Sequence, residues 1–187
     1  MEFAVQSVLS WLQEFFQQHG GEFRWSPDEK LSRIQISDQH TVNLEQVEQK
    51  PSIVANLKGV RPFKRHIGES VGGGLGQRTR HSILCEAPIH FLCSSRVGAE
   101  AGFLAGTVFQ FFEFFAPDMA RFFRVQDVYA DGFGEEVLTK MDSGQEVIVV
   151  PAPIRLYFPI GWLRSDHRET PFGALSFQLF VQGGRTS

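Results

Sequence analysis

The sequence predicts an α+β fold: a mostly antiparallel sheet of four to five strands, with one long helix packed across it and an N-terminal helix beside it. Three observations predict this. Apolar residues recur at three- and four-residue steps over 3–18 and 97–115, as the buried stripe of an α-helix requires. They alternate with polar residues over 52–60, 82–92 and 147–158, as a half-buried strand requires. The 187 residues include 19 phenylalanines in a hydrophobic fraction of 42%, enough to fill one core.

The first helix carries Val5, Val8, Leu9, Leu12, Phe15 and Phe16 on one stripe, and His19-Gly20-Gly21 supplies its stop. Ile34 and Ile36 alternate with polar neighbours and indicate a short strand over 31–37. Pro51 opens a better strand, 52–60, with Ile53, Ala55 and Leu57 on one face and Asn56 and Lys58 on the other. Its partner, 82–92, puts Ile83, Cys85, Ala87, Ile89 and Phe91 on one face and Ser82, Glu86 and His90 on the other. Pro88 donates nothing to a ladder, so a bulge or an edge position is expected there.

The central helix is expected over 97–115, capped by Ser94 or Ser95, with Glu100 at the positive end of its dipole and Pro117 as its end. Val97, Ala101, Leu104, Val108, Phe111, Phe112 and Phe115 form its buried stripe. Gly98, Gly102 and Gly106 share one face. Each lowers helix stability by roughly 1 kcal/mol relative to alanine, so the trio predicts close packing of another backbone, on this chain's own sheet or on a neighbouring subunit. Strands at 123–130 and 147–158 follow, flanking a polar region whose best turn signal is Asp142-Ser143-Gly144. Pro151 and Pro153 again imply a bulge or an edge. Beyond a charged linker, 164–171, Leu175, Phe177, Leu179 and Val181 alternate with Ser176 and Gln178. The expected organisation is one domain over 1–163 with a basic hairpin loop at 61–81, followed at 164–187 by a linker and an extra strand or donated arm.

Composition narrows the function. A net charge of −3 and a pI near 6.1 exclude a chain that is basic throughout, so any nucleic-acid contact is local. Two cysteines are too few for a disulfide scaffold and favour a reducing compartment. The N-terminus lacks the basic region and apolar run of a signal peptide. Glu100, Gln110 and Glu113 argue against the central helix as a membrane span.

Candidate chemistry is sparse. Gly72–Gly76 lacks the lysine and serine or threonine of a P-loop and precedes a strand, so a hairpin tip is expected. Cys85, Cys93, His81 and His90 do not share a metal-ligand spacing. Glu135 and Glu136 diverge on any regular element, and Asp127 and Asp131 have no visible partner. A catalytic reading would require His90, Glu86 or Asp127 to converge in a cleft. No catalytic residue, cofactor or metal is assigned, and a non-enzyme is expected. The one local chemical signal is the basic stretch. From Lys58 to His81 there are six lysines or arginines and one acid, Glu69. Arg61, Lys64, Arg65, Arg78 and Arg80 there suit contact with phosphate or an acidic protein surface.

The order helix, long hairpin, helix and two closing strands resembles the tail terminator, or tail completion, family of long-tailed bacteriophages. The resemblance is carried by PSIVANLKGVRPF (51–63), RHSILCEAPIHFLCSSR (80–96), GAEAGFLAGTVFQFFEFF (98–115) and EVIVVPAPIRLYFPI (146–160), within a match over roughly 1–163. It implies a virion protein of the head–tail neck, a homo-oligomeric and expectedly hexameric ring that caps the tail tube. The implied partners are further copies of the chain, the tail tube and neck or connector proteins, with DNA in the lumen and no membrane. Arg61, Lys64, Arg65, Arg78 and Arg80 would be the loop that engages an adjoining ring or that DNA. The Phe23–Gln49 insertion and the Arg164–Ser187 extension depart from the family pattern. A small-ligand binding module, with an apolar cavity between sheet and phenylalanine-rich helix, is the alternative.

Overall fold

The computed structural model describes residues 2–42, 49–64, 78–140, 144–165 and 179–181. The elements run α1 (Glu2–His19), β1 (Gln35–Asp38), β2 (Ser52–Leu57), β3 (Arg61–Lys64), β4 (Arg78–Ser95), α2 (Gly98–Phe123), β5 (Asp127–Ala130), β6 (Val137–Lys140), β7 (Glu146–Ser165) and β8 (Leu179–Val181). The fold is α+β, as expected, with more strands than the sequence indicates. All eight join one sheet, ordered β1-β2-β4-β7-β5, with β3 also on β4 and with β6 and β8 also on β7. β1 and β2 pair in parallel and the other described pairs are antiparallel.

The excess over four to five strands arises because short pieces line up along two long ones. β4 and β7 are paired without a register break from Arg78↔Ser165 to Ser95↔Ile148. β2 and β3 flank the outer side of β4, while β5, β6 and β8 flank the outer side of β7. β6, Val-Leu-Thr-Lys, is exposed at all four positions, so it has no inward period to read. β8 makes the C-terminal alternation an extra strand of this chain's own sheet, opposite Ile160 to Trp162; residues 174–178 lie outside the described residues.

Pro88, Pro151 and Pro153 therefore sit in central strands, with no bulge in the β4–β7 ladder. The reason lies in the flanking strands. In an antiparallel ladder each residue's N–H and C=O point to the same side. Lys58 N donates to Pro88 O at 3.0 Å, just where β2 gives way to β3 at Gly59 (φ 93°). Gly134 N donates to Pro151 O at 2.7 Å and Asp131 N to Pro153 O at 2.9 Å, from the loop between β5 and β6. Each proline's missing donor thus faces an interruption in the neighbouring strands.

The central helix differs from expectation at both ends. Pro117 lies inside it, and α2 runs on to Phe123, ending at Arg124 in the left-handed conformation (φ 53°). Local propensity argues for a break, but tertiary packing wins: Met119 is fully buried and Phe122 lies against Trp11, with ring centroids 5.0 Å apart. At the other end neither Ser94 nor Ser95 caps the helix, because both belong to β4. Val97 is the N-cap and makes no side-chain cap bond. The Ser95 hydroxyl instead accepts from Val97 N at 3.2 Å and donates to Glu100. The Ser94 hydroxyl pairs with that of Ser52 at 2.6 Å.

Both helices cover one face of the sheet. Val8, Leu12 and Phe16 of α1 and Leu104, Val108 and Phe112 of α2 close on Ile53, Ala55, Ala87, Ile89 and Phe91, with Ala152, Ile154 and Leu156 alongside. Phe91 and Phe112 meet with ring centroids 5.0 Å apart. α1 also dresses the sheet edge, where Gln13 donates to the Ile36 carbonyl at 3.1 Å and Gln6 donates to Asp38. It ends at His19 as expected. A Cβ on Gly20 would lie 2.3 Å from the Phe16 carbonyl, so the tight exit requires glycine.

Among the described side chains, core membership on the ribbon spans Ala87 to Cys93 and Val150 to Leu156. The ladder nevertheless continues from Cys85↔Phe158 to Arg78↔Ser165. At about 3.3 Å per residue that is roughly 23 Å of paired strand, whose first pair still belongs to the core: Cys85 is buried and Phe158 packs against the cluster.

Candidate assembly surface

The basic segment is not a loop throughout. Arg61 and Lys64 belong to β3, opposite Glu86 and Leu84, and Arg78 and Arg80 belong to β4, opposite Ser165 and Leu163. Arg65 and Gly72–Gly76 lie outside the described residues. What was expected as a loop over 61–81 is, where described, a strand-paired hairpin. Cross-strand pairing with β7 carries the arginine positions outward along the ribbon.

Arg61 is already engaged. Its guanidinium pairs with Glu86, whose side chain is only 4% exposed. Arg155, on the other neighbouring strand, approaches the second Glu86 oxygen at 3.7 Å and also pairs with Asp131. That second oxygen has no hydrogen-bond partner. The Asp131 hydrogen bond, and then the charges of Asp131, Tyr157 and Glu86, raise the Arg155 pKa against the opposing effect of burial. Asp131 therefore has a partner, where none was visible in the sequence. Phe63 packs edge-on against Tyr157 beside this row, with centroids 4.9 Å apart. Glu86 and Arg155 carry no sequence signal of this role, because their pairing depends on a register that only the folded sheet defines.

Glu86, His90 and Asp127 do not converge. Glu86 and Asp127 both register with Tyr157 from opposite sides, two strand spacings or about 10 Å apart, and His90 registers with Pro153. Burial, followed by the charges of Lys58 and Arg155, lowers the His90 pKa and favours the neutral ring. Cys85 and Cys93 are buried free thiols, both raised in pKa by burial. Among the described residues no group of three or more His, Cys, Asp or Glu could hold a metal, and no helix is long and apolar enough to cross a membrane.

The glycine face is open. A Cβ on Gly102 or Gly106 would meet nothing within 4 Å, and one on Gly98 would meet the Glu136 carboxylate at 2.8 Å. Among the described residues the expected close backbone packing within the chain is therefore absent at Gly102 and Gly106. The reason is orientation: the face they share points away from the sheet. Large apolar groups are exposed on the same helix: Phe103 (58%), Phe114 (77%) and Phe122 (52%). Between α1 and α2 a groove of about 400 Å³ is lined by Trp11, Phe15, Phe111 and Phe115, with Glu14, His19 and Asp118. The sequence reading missed it because Phe15, Phe111 and Phe115 read there simply as core. A second, polar concavity of about 890 Å³ lies along Ser10, Gln13, Gln17, Arg24 and Trp25.

No protein-family model matches this chain, and no curated protein matches it either.

Proposed function

We propose that the chain is a structural subunit of the bacteriophage neck, a tail-terminator-like protein that closes into a ring on the tail tube and joins tail to head. The single observation that carries this reading is the β4–β7 ribbon. It carries the arginine positions 78 and 80 on an unbroken ladder of 18 residue pairs whose other end is backed by a solid core, a shape suited to reaching another subunit. The packed interface between Phe91 and Phe112, with Leu104, Ala105 and Val108 wholly buried, supports assembly over an apolar ligand cavity between sheet and helix. Phe103, Phe114 and Phe122 on α2 add exposed apolar surface that a neighbouring subunit would cover. Helix, hairpin, helix and closing strands follow one another in the fold, with β1, β6 and β8 in addition. In this reading copies pack through different surfaces on each side, the condition for a ring, and the hairpin meets an adjoining ring or the DNA in the lumen. Arg78→Glu together with Arg80→Glu in the phage should reduce head–tail joining while the isolated subunit keeps its circular dichroism. Normal yields of infectious particles from that double variant would refute the role of the hairpin.

A further inference from the structure

Strand β6 is a free edge with a self-complementary sequence. It pairs with β7 on one side, and among the described residues no strand pairs with the other. All four of its residues are exposed, including Val137 (54%) and Leu138 (63%). An unpaired edge presents a row of backbone N–H and C=O groups to any extended chain, and proteins commonly blunt it with a proline or a charge in the strand. Val137, Leu138 and Thr139 include neither. The charges stand at the ends instead: Glu136 precedes the strand and Lys140 closes it. Among the described residues no ion pair engages either one.

Backbone geometry limits how such an edge meets a copy of itself. In an antiparallel ladder a residue's N–H and C=O point to the same side, so alternate residues offer theirs at the free edge. Two copies therefore mate only in registers centred on a single residue. Centred on Leu138, that leucine faces its own counterpart, Val137 faces Thr139, and Glu136 faces Lys140 at both ends of the seam. Centred on Thr139, Lys140 faces Leu138 and the charges go unpaired. Glu136, Leu138 and Lys140 alternate onto one face, the helix side of the sheet: Leu138 registers with Ile148, which packs against the core, and the Glu136 carboxylate lies beside Gly98. A second Leu138 there extends the core layer, between two opposite-charge cross-strand pairs that favour the antiparallel meeting; a parallel one in register sets like against like.

We propose that β6 is a self-association edge, at which two copies of this chain join their sheets by antiparallel pairing centred on Leu138. The contact is isologous and closes at two copies, so it goes beyond the ring reading: it joins one subunit to one other and does not itself close a ring. So short a seam buries less than the roughly 1,600 Å² of a standard interface, and the association is accordingly weak.

The test is sedimentation equilibrium of the purified full chain over a wide concentration range, with amide exchange at the two extremes. The expected result is a mass that doubles with concentration while exchange in Val137–Lys140 slows. Lys140→Glu and Glu136→Lys each set like charges opposite at both ends and should raise the concentration needed at least tenfold. An equal mixture of the two single variants restores opposite pairs, as does one chain carrying both changes, and both should recover. Circular dichroism checks that each variant is folded. A wild-type mass that stays constant would overturn the proposal, as would a single variant that associates like wild type. Failure of the mixture and of the double variant to recover would overturn it too. So would association that leaves β6 exchange unchanged, because the copies would then meet elsewhere; none of these results touches the ring reading.

Discussion

Replacing Pro117 with alanine tests the point where the structure departs most from local sequence preference. Pro117 is exposed and lies inside α2, so it contributes little packing. It removes one helical N–H, and its ring crowds the carbonyl four residues earlier, at Glu113. A mid-helix proline is less favourable than alanine by about 3 kcal/mol. Against this, alanine frees the unfolded chain, which offsets up to about 1 kcal/mol. The net expectation for Pro117→Ala is a gain of about 2 kcal/mol. At about 2–4 °C per kcal/mol for a chain of this size, the midpoint should rise by about 4–8 °C. Urea and thermal unfolding, followed by circular dichroism and tryptophan fluorescence, give both numbers. Met119→Ala completes the experiment: Met119 is fully buried in the last turns of α2, so its truncation should destabilise by about 2–5 kcal/mol. A neutral Pro117→Ala together with a Met119→Ala loss below about 1 kcal/mol would mean that residues 118–123 are not a packed helix, and the reasoning would fail.

Two further outcomes are expected. His90 has a lowered folded pKa, so the fold binds fewer protons there than the unfolded chain; its contribution is complete above about pH 6.5 and is lost as pH falls through the lower folded value. His90→Gln should therefore flatten the stability decline between about pH 7 and 5, and an unchanged slope would show that His90 does not titrate as described. Arg155→Met removes the better-buried of the two cations at Glu86 and should destabilise by about 1–3 kcal/mol, whereas Arg61→Met, with its side chain 63% exposed, should lose less than about 1 kcal/mol. The reverse ranking in denaturant melts would show that burial does not decide which of the two cations counts for more.

The sequence is most transparent where a single element's own period decides its burial. Val8, Leu12 and Phe16, or Ala87, Ile89 and Phe91, announce their faces without reference to any neighbour, and they are buried as expected. It is opaque where the deciding partner is remote. Pro117 reads as a terminator because Met119 and Phe122 owe their packing to other elements. β6 shows no alternation because none of its residues is buried. The Arg61–Glu86–Arg155–Asp131 row needs three strands in register and the loop after β5 in place before its charges meet. Gly98, Gly102 and Gly106 were legible as one face, but their spacing does not say which way that face points.

The placement of the prolines has a consequence for how the long ribbon finds its alignment. Pro88, Pro151 and Pro153 all occupy sites whose backbone polar groups point away from the β4–β7 seam, so that seam loses no bond to them. A one-residue slip must turn one of the two strands over, bringing either Pro88 of β4 or Pro151 and Pro153 of β7 to face the seam, each at the cost of one donor. A two-residue slip of β4 against β2, or of β7 against β5 and β6, would slide a proline off its gap and onto a paired stretch. With each orphaned carbonyl worth about 1–3 kcal/mol, the imino residues act as keys: each long strand keeps the one alignment with its outer neighbours that leaves its prolines opposite a gap.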